Sequence, residues 1–312
     1  MGSSGGGYSN YGSGGLGAQE RASAKNAQSS QIEMEINQFL DSLLKEINAR
    51  DADAIRTHIA EIEKALGKEI DGLDTLLYGG SLSKSTFVEG MSDVDALVFF
   101  DKESYQNTSP RDLQDKMFSL LKTRYPNTEI KKGTLAVTVK FKDYEVQLLP
   151  ALRDQGKIRI ANRENNSWSG SINSKAFSER LTKTNQLNGN KVVPVVKLAK
   201  AMLAKVPERY RPSGYHVEAL AVDAFASYSG RYTLFDMTKH MLNHCVKRVL
   251  SPMHDVTGQS DAIDSYWGQA RSIDRQIAAR HIRDIAGRFS ASKAVSVTKE
   301  LFSEVRECVT SL

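Results

Sequence analysis

Residues 76–100 contain the feature that most restricts how this chain can fold. A short apolar run predicts a buried strand, and Gly79-Gly80 directly after it predicts a sharp turn, because glycine adopts backbone conformations that other residues avoid. Ser81 follows the turn, and a short helix is predicted at residues 83–87. Backbone amides exposed by such a turn, together with the Ser81 hydroxyl, favour binding of an anion such as a triphosphate.

A pair of aspartates lies shortly downstream. Asp93 and Asp95 flank Val94 at the start of a second apolar run, residues 96–100, which predicts another strand. Side chains alternate along a strand, so a spacing of two places both carboxylates on one face. Two adjacent carboxylates repel unless a divalent cation neutralises them, and oxygen ligands suit Mg²⁺ or Mn²⁺. The pair therefore predicts the two-metal arrangement for displacement at phosphorus.

These two motifs resemble the signature of the polymerase-beta-like nucleotidyltransferases. Three further segments match that superfamily: QLLPA at residues 147–151, SGYHVE at 213–218 and DVTGQS at 255–260. Together they resemble the oligoadenylate synthetase and cyclic GMP-AMP synthase branch, above all the bacterial CD-NTases of CBASS, which make cyclic oligonucleotides in anti-phage defence. The resemblance covers residues 31–312.

The resemblance implies a fold and a function. The fold is α+β: a mixed-sheet nucleotidyltransferase lobe at residues 31–170, a helical lobe at 171–312, and an N-terminal spine helix. The function is metal-dependent, template-independent joining of NTPs into a cyclic di- or trinucleotide second messenger, with release of pyrophosphate. A downstream effector would bind the product. The same chemistry would serve a linear oligonucleotide synthase or an RNA terminal nucleotidyltransferase, and both stay open as alternatives.

The resemblance also implies roles for individual residues. Asp93 and Asp95 hold two Mg²⁺ or Mn²⁺ ions and are catalytic. The nucleotide-binding residues are Gly80, Ser81, Lys200, Ser213 and Tyr215, with Tyr215 stacking on a base. The residues themselves allow simpler interpretations for two of these: helical spacing puts Lys197 and Lys200 together on a flank that is also typical of a solvated face, and Ser213 suits a helix N-cap.

Gln147 departs from the family pattern, which has a third carboxylate three residues before the proline. A neutral amide offers Mg²⁺ a lone pair but brings no charge and cannot act as a base near pH 7. Gln147 is either a weak catalytic ligand or a residue that orients Asp93 or Asp95, and Glu145, on the same strand face, is the alternative third ligand. A catalytically weak or inactive nucleotide-binding module is a further alternative. Pro150 is predicted to end this strand.

The remaining predictions concern the ends of the chain and its charge. Residues 1–30 are rich in Gly and Ser and predict a disordered tail. The net charge of +5 is too small to indicate nucleic-acid binding without a clustered patch. The arginine-rich residues 271–288 are a candidate site for a nucleic-acid activator, with a solvated face as the alternative, and a regulatory protein is another candidate partner. Two cysteines are too few for a disulfide framework, and the N-terminus lacks the basic and apolar regions of a signal peptide, so we expect a cytoplasmic protein. The lack of a long apolar run predicts no membrane association, and we expect a monomer.

Overall fold

A computed structural model describes residues 14–49, 52–70, 73–78, 84–88, 94–141, 145–154, 157–162, 166–169, 175–255, 257, 263–291, 300 and 303. Gly79, Gly80, Ser81 and Asp93 lie outside these ranges, and only the backbone of Asp95 is described. The roles predicted for these side chains therefore remain predictions.

A mixed sheet occupies the first half of the described chain. Its strands are β1 (Leu73–Tyr78), β2 (Val94–Asp101), β3 (Glu129–Lys132), β4 (Val137–Lys140), β5 (Glu145–Asp154) and β6 (Lys157–Ile160). The order is β1-β2-β5-β4-β3, and β6 also pairs with β5. β2 and β5 run parallel, whereas the other pairs are antiparallel. The strands predicted on either side of the glycine turn and around Gln147 are confirmed.

Helices cover one face of this sheet. α2 (Ala52–Glu69) and α4 (Pro110–Arg124) pack against it, and a short α3 (Lys102–Tyr105) follows β2. Alternate residues of β2 and β5 contribute to this core, namely Ala96, Val98, Phe100, Val146 and Leu148. The opposite face carries a smaller cluster around Phe99, Ala151 and Ile158. Gln147, which alternates with the buried positions of β5, is only half-buried.

Pro150 does not end the strand as predicted, because β5 continues to Asp154. β4 begins opposite Leu148, and the pairing with β6 starts at Ala151. Position 150 therefore falls between these two partners on that edge of β5, where a missing N–H group costs no ladder hydrogen bond. On its other edge β5 stays in register with β2, with Pro150 opposite Val98.

The second half of the described chain is helical, as predicted. It consists of α5 (Ala176–Leu187), α6 (Val192–Leu203), α7 (Gly214–Ala224), α8 (Leu234–Arg248) and α9 (Ile273–Ala291). These helices share one apolar core that is separate from the core beneath the sheet. Fully buried side chains include Val196, Leu220 and Phe289. The described residues therefore form an α+β architecture in which the sheet half and the helical half have separate main cores.

The predicted N-terminal spine helix is α1 (Gly14–Ala49). It begins within residues 1–30, for which the sequence predicts a disordered tail. Residues 14–30 are helical rather than disordered, because this segment is rich in strong helix formers such as Ala, Gln, Glu and Lys. The described side chains between residues 21 and 31 are exposed, so packing does not hold this part. Further along α1, Ile36 and Leu40 enter the core of the helical half.

The arginine-rich region also needs correction. Arg275 is fully buried inside the helical half, where its guanidinium donates to Asp264 Oδ2 at 2.7 Å and to the Val249 carbonyl at 3.0 Å. It therefore contributes nothing to a basic surface. The other arginines of the predicted patch, Arg271, Arg280, Arg283 and Arg288, are exposed. Within the described ranges, no helix is both long enough and apolar enough to cross a membrane.

We expect Leu40 to be important for joining α1 to the helical half. Leu40→Ala should lower the free energy of unfolding by about 2 to 5 kcal/mol, since it removes a fully buried side chain. Met34, on the same helix, is 60% exposed, so Met34→Ala should change stability by less than about 0.5 kcal/mol. Urea unfolding of the two variants tests this difference. Equal losses would mean that α1 does not pack as described.

Candidate functional site

The parallel pairing of β2 and β5 brings two of the predicted site positions together. Asp95 lies opposite Gln147, and Val94 lies opposite Val146. Residues in register on neighbouring strands occupy the same face of a sheet. On its other edge Gln147 lies opposite Thr138 of β4. Position 147 is thus a central position in the sheet, adjacent to one of the two aspartates of the sequence motif.

Glu145, the alternative third metal ligand, has a lysine as its neighbour. Its carboxylate is 3.9 Å from the Lys140 ammonium on β4, and both side chains are substantially exposed. An exposed ion pair of this kind contributes little to stability. Gln147, rather than Glu145, is the β5 residue in register with Asp95.

The chain segment after the glycine turn packs against both hydrophobic cores. Lys84 and Ser85 form a turn, with Ser85 at φ 57°, and residues 86–88 are not helical. The short helix predicted at residues 83–87 is therefore wrong for the described residues. Phe87 packs against the core beneath the sheet, whereas Val88 enters the core of the helical half. This segment, residues 84–88, joins the two halves close to the predicted phosphate loop.

A buried cluster of charges fixes this segment to the helical half. Glu218 on α7 is 1% exposed and forms ion pairs with Lys84 and with Lys200 on α6, the latter at 2.9 Å. The Thr86 hydroxyl donates to Glu218 Oε1, and Lys200 Nζ also donates to the Thr86 carbonyl oxygen at 3.1 Å. Burial by itself would raise the pKa of Glu218, but Lys200 and Lys84 hold that pKa below its ordinary value. Glu218 is therefore an anion in the folded protein.

Lys200 does not lie on a solvated flank, because its side chain is fully buried in this cluster. Its ammonium is directed at Glu218 and Thr86, so in this conformation it acts on the segment 84–88. Lys197, its neighbour on α6, is half-buried and donates to the Asn48 side chain. Burial, followed by the nearby Lys200 charge, lowers the pKa of Lys197. The two lysines therefore have different environments.

Ser213 and Tyr215 lie at the start of α7, as predicted. Ser213 is the N-cap, and its hydroxyl accepts from the His216 backbone N–H at 3.2 Å. The Tyr215 hydroxyl donates to Asp255 Oδ1 at 2.7 Å, and its ring lies 4.6 Å from the Phe177 ring. The Lys84 ammonium lies 4.9 Å from the Phe177 ring centre and 5.3 Å from that of Tyr215. The predicted base-stacking residue thus adjoins Lys84.

A second buried network supports the start of α7 from the other side. Asp264 pairs with Arg275, and it lies 3.6 Å from His216 Nε2. His216 Nδ1 lies 3.1 Å from the Tyr266 hydroxyl, which also accepts from the Ser213 backbone N–H at 3.2 Å. Burial lowers the pKa of His216 to about 4, although the Asp264 charge acts in the opposite direction. His216 is therefore neutral at physiological pH.

Within the part of the chain that the structure describes, no group of three or more His, Cys, Asp and Glu residues could hold a metal ion. Asp93 and the Asp95 side chain, which carry the metal prediction, fall outside that search. The chemistry of the predicted donors is consistent with Mg²⁺ or Mn²⁺, because carboxylate and amide oxygens are hard ligands. The register of Asp95 with Gln147 is the structural observation that favours this site.

Sequence reasoning did not identify the buried contacts of Glu218 with Lys84 and Thr86. A signal was present: Glu218 is the only charged residue in the run HVEALAV of α7, and Lys200 stands alone between Ala199 and Ala201. A lone charge in an apolar helical run predicts a buried partner of opposite charge. Pairing Glu218 with Lys200 was therefore possible in principle. Its pairing with Lys84 depends on the tertiary fold.

We expect His216 to make stability pH-dependent. Its pKa is about 4 in the folded protein and about 6.5 when unfolded, so the unfolded chain binds more protons between these values. Stability should therefore fall as the pH drops from about 6.5 to about 4, reaching a loss of about 2 kcal/mol from this group near pH 5. Urea unfolding at pH 7 and pH 5 should show a weaker pH dependence in His216→Gln. His254 is exposed, so His254→Gln should retain the wild-type dependence; equal dependence in all three proteins would contradict the assignment.

Comparison with known proteins finds one matching family model. Residues 34–185 match the model of the Second Messenger Oligonucleotide or Dinucleotide Synthetase (SMODS) domain. This range contains the glycine turn, both aspartates and Gln147, and it extends past the lobe boundary expected at residue 170. No curated protein matches the chain significantly.

Solved structures share the fold at low sequence identity. CdnG of Bradyrhizobium diazoefficiens, a CD-NTase in complex with GTP, has a TM-score of 0.63 at 14% identity, covering 88% of this chain and 98% of that one. CdnC of E. coli MS115-1, in a complex with HORMA-deltaN, has a TM-score of 0.60 at 16% identity, covering 84% and 91%. The DncV cyclic AMP-GMP synthase of Vibrio cholerae, with nonhydrolyzable GTP, has a TM-score of 0.58 at 12% identity, covering 92% and 90%. Residues 34–185, just under half of the chain, thus match the SMODS domain, and the chain shares its fold with solved CD-NTases.

Proposed function

We propose that this protein joins NTPs into a cyclic di- or trinucleotide and releases pyrophosphate, as a template-independent synthase in bacterial anti-phage signalling. The observation that carries the proposal is the register of Asp95 with Gln147 on parallel strands inside a SMODS domain. It supports a site in which the Asp93-Asp95 motif and Gln147 act together. The sheet lobe and the helical lobe, with a boundary proposed near residue 170, would form the cleft for two nucleotides.

Each residue has a proposed part in the reaction. Gly80 and Ser81 bind the donor triphosphate through backbone amides and a hydroxyl, and Tyr215 stacks on a base. Asp93 and Asp95 would hold two Mg²⁺ or Mn²⁺ ions, with Gln147 adding a neutral oxygen. When bound, these ions neutralise the phosphates and lower the pKa of the acceptor 3′-hydroxyl. Positioning of the two nucleotides by these residues supplies most of the remaining rate enhancement.

The bond changes follow from this arrangement. The acceptor 3′-oxygen attacks the α-phosphorus of the donor in line, and the bond to pyrophosphate breaks. Because Gln147 cannot accept a proton near pH 7, the hydroxyl proton passes to an aspartate or to water. A second round within the linear intermediate closes the ring. The product is then free to bind an effector.

The neighbouring structures support the choice of substrate and of a possible regulator. Several contain GTP or NTP analogues, and one is described as a cyclic AMP-GMP synthase. Another contains a HORMA protein, which supports a regulatory protein as a partner for this chain too. A linear oligonucleotide synthase would use the same residues. Gln147 favours one further candidate, a nucleotide-binding module with weak or no catalysis, because it replaces a charged ligand with a neutral one.

One assay separates these functions. The purified protein is incubated with labelled NTPs and Mg²⁺ or Mn²⁺, and the products are treated with phosphatase. We expect a phosphatase-resistant product, because a ring has no terminal phosphate. A phosphatase-sensitive product would indicate a linear chain, and the absence of product would indicate a binding module. Asp93→Ala combined with Asp95→Ala should abolish product formation in a folded protein; retained activity would exclude the metal assignment.

We expect Gln147 to act at the metal site. Gln147→Leu removes the amide oxygen and should lower metal affinity or activity by about 10- to 100-fold. Gln147→Glu adds a charge and should lower the Mg²⁺ concentration needed for half-maximal activity. Gln186 is exposed on α5, so Gln186→Glu adds the same charge at a distant position and serves as the control. Measurement of rate against Mg²⁺ concentration tests this. Wild-type behaviour of Gln147→Leu would place Gln147 outside the site.

A further inference from the structure

Glu218 is the centre of a buried cluster of charges. Lys84 and Lys200 both pair with its carboxylate, and the three side chains are at most 8% exposed. Burying charge is costly unless each charge is paired and hydrogen-bonded. The Glu218 carboxylate therefore offsets part of the cost of burying both ammonium groups.

The cluster also lies close, along the chain, to the predicted phosphate loop. Three peptide units separate Lys84 from Ser81, so their Cα atoms are at most about 11 Å apart. The Lys84 ammonium is held between Glu218 and the rings of Phe177 and Tyr215. Its position therefore depends on α5 and α7, which both belong to the helical half.

Glu218 contacts the segment 84–88 at two points. It pairs with the Lys84 side chain and accepts from the Thr86 hydroxyl, and Thr86 is completely buried. Lys200 adds a hydrogen bond to the Thr86 carbonyl at 3.1 Å while it pairs with Glu218. Removal of the Glu218 charge would take from both ammonium groups the carboxylate that they share. The segment would then lose its anchor.

We propose that Glu218 is a positioning residue for nucleotide binding: through Lys84, Thr86 and Lys200 it holds the segment after the phosphate loop against the helical half. The proposal rests on the proposed function, in which the loop binds a triphosphate. Glu218 itself does not touch the nucleotide. Because the same contacts join the two halves, nucleotide binding and the attachment of segment 84–88 are thermodynamically linked, and each strengthens the other.

The test uses the full chain and two substitutions that each neutralise a paired carboxylate. Glu218→Gln should weaken binding of ATP or GTP with Mg²⁺ by about tenfold. It should also speed amide hydrogen exchange across residues 84–88. Asp236→Asn breaks a different ion pair, with Arg231, at the start of α8 in the same half. It should lower the melting temperature while leaving nucleotide affinity within about twofold of wild type and exchange at 84–88 unchanged.

A charge-matched double variant separates positioning from general charge balance. Glu218→Gln combined with Lys200→Met removes one charge of each sign, so it should recover stability but not nucleotide affinity. Recovery of both would overturn the proposal, as would an equal effect of Asp236→Asn on affinity and exchange, or unchanged affinity in Glu218→Gln. If Glu218→Gln does not fold, Thr86→Val removes one contact without a charge change. It should shift affinity and exchange in the same direction, and wild-type values for both would reject the proposal.

These measurements are independent of product formation. A wild-type protein that binds NTPs but makes no product would contradict the proposed synthase activity and still permit the test of Glu218. A protein that makes product while Glu218→Gln binds nucleotides normally would contradict only the positioning role.

Discussion

The parallel pairing of β2 with β5 is the constraint on which the candidate site depends. It places Asp95 opposite Gln147, although more than fifty residues separate them in the sequence. A shift of the register by one residue would send Gln147 to the buried face and bring Val146 or Leu148 to the site, because side chains alternate along a strand. The buried residues of both strands fix the register, since Ala96, Val98, Val146 and Leu148 are all completely buried.

A second constraint acts at the junction of the two halves. Residues 84–88 contribute Phe87 to the sheet core and Val88 to the helical core, while Thr86 contacts Glu218. The predicted phosphate loop is therefore followed at once by a segment that both halves hold. A change in the helical half can therefore shift residues 84–88, which follow the loop in the sequence, without movement of the sheet. In a nucleotidyltransferase, this coupling would link binding of the donor to the geometry of the cleft.

Much of this fold was predictable from local patterns. Apolar runs gave β1 and β2, helical periodicity gave the second half, and Ser213 was recognisable as an N-cap. The register of Asp95 with Gln147 was not predictable from spacing, because it depends on which strands become neighbours. The same is true of Glu218, whose contact with Thr86 spans 132 residues. Pro150 misled the prediction because its missing N–H falls in a gap between β4 and β6, which only the sheet order reveals.

Two of the differences between sequence and structure concern charge rather than secondary structure. The solvated flank considered as the alternative for Lys200 and the basic surface predicted to include Arg275 are both wrong, because each side chain is completely buried with an acidic partner. Residue type alone predicts exposure for lysine and arginine, which are rarely buried unless they are paired. The acidic partners, Glu218 and Asp264, lie in other elements, so only the apolar surroundings of Lys200 and Glu218 in the sequence indicated burial. Both pairs surround α7, whose first turn carries the predicted nucleotide-binding residues Ser213 and Tyr215.

A crystal structure with a non-hydrolysable NTP and Mn²⁺ tests the central claim most directly. The account predicts an anomalous Mn²⁺ peak at about 2.1 Å from oxygen atoms of Asp93 and Asp95, beside Gln147, with the triphosphate at Gly80 and Ser81. A nucleotide bound elsewhere, with both aspartates free of metal, would contradict it.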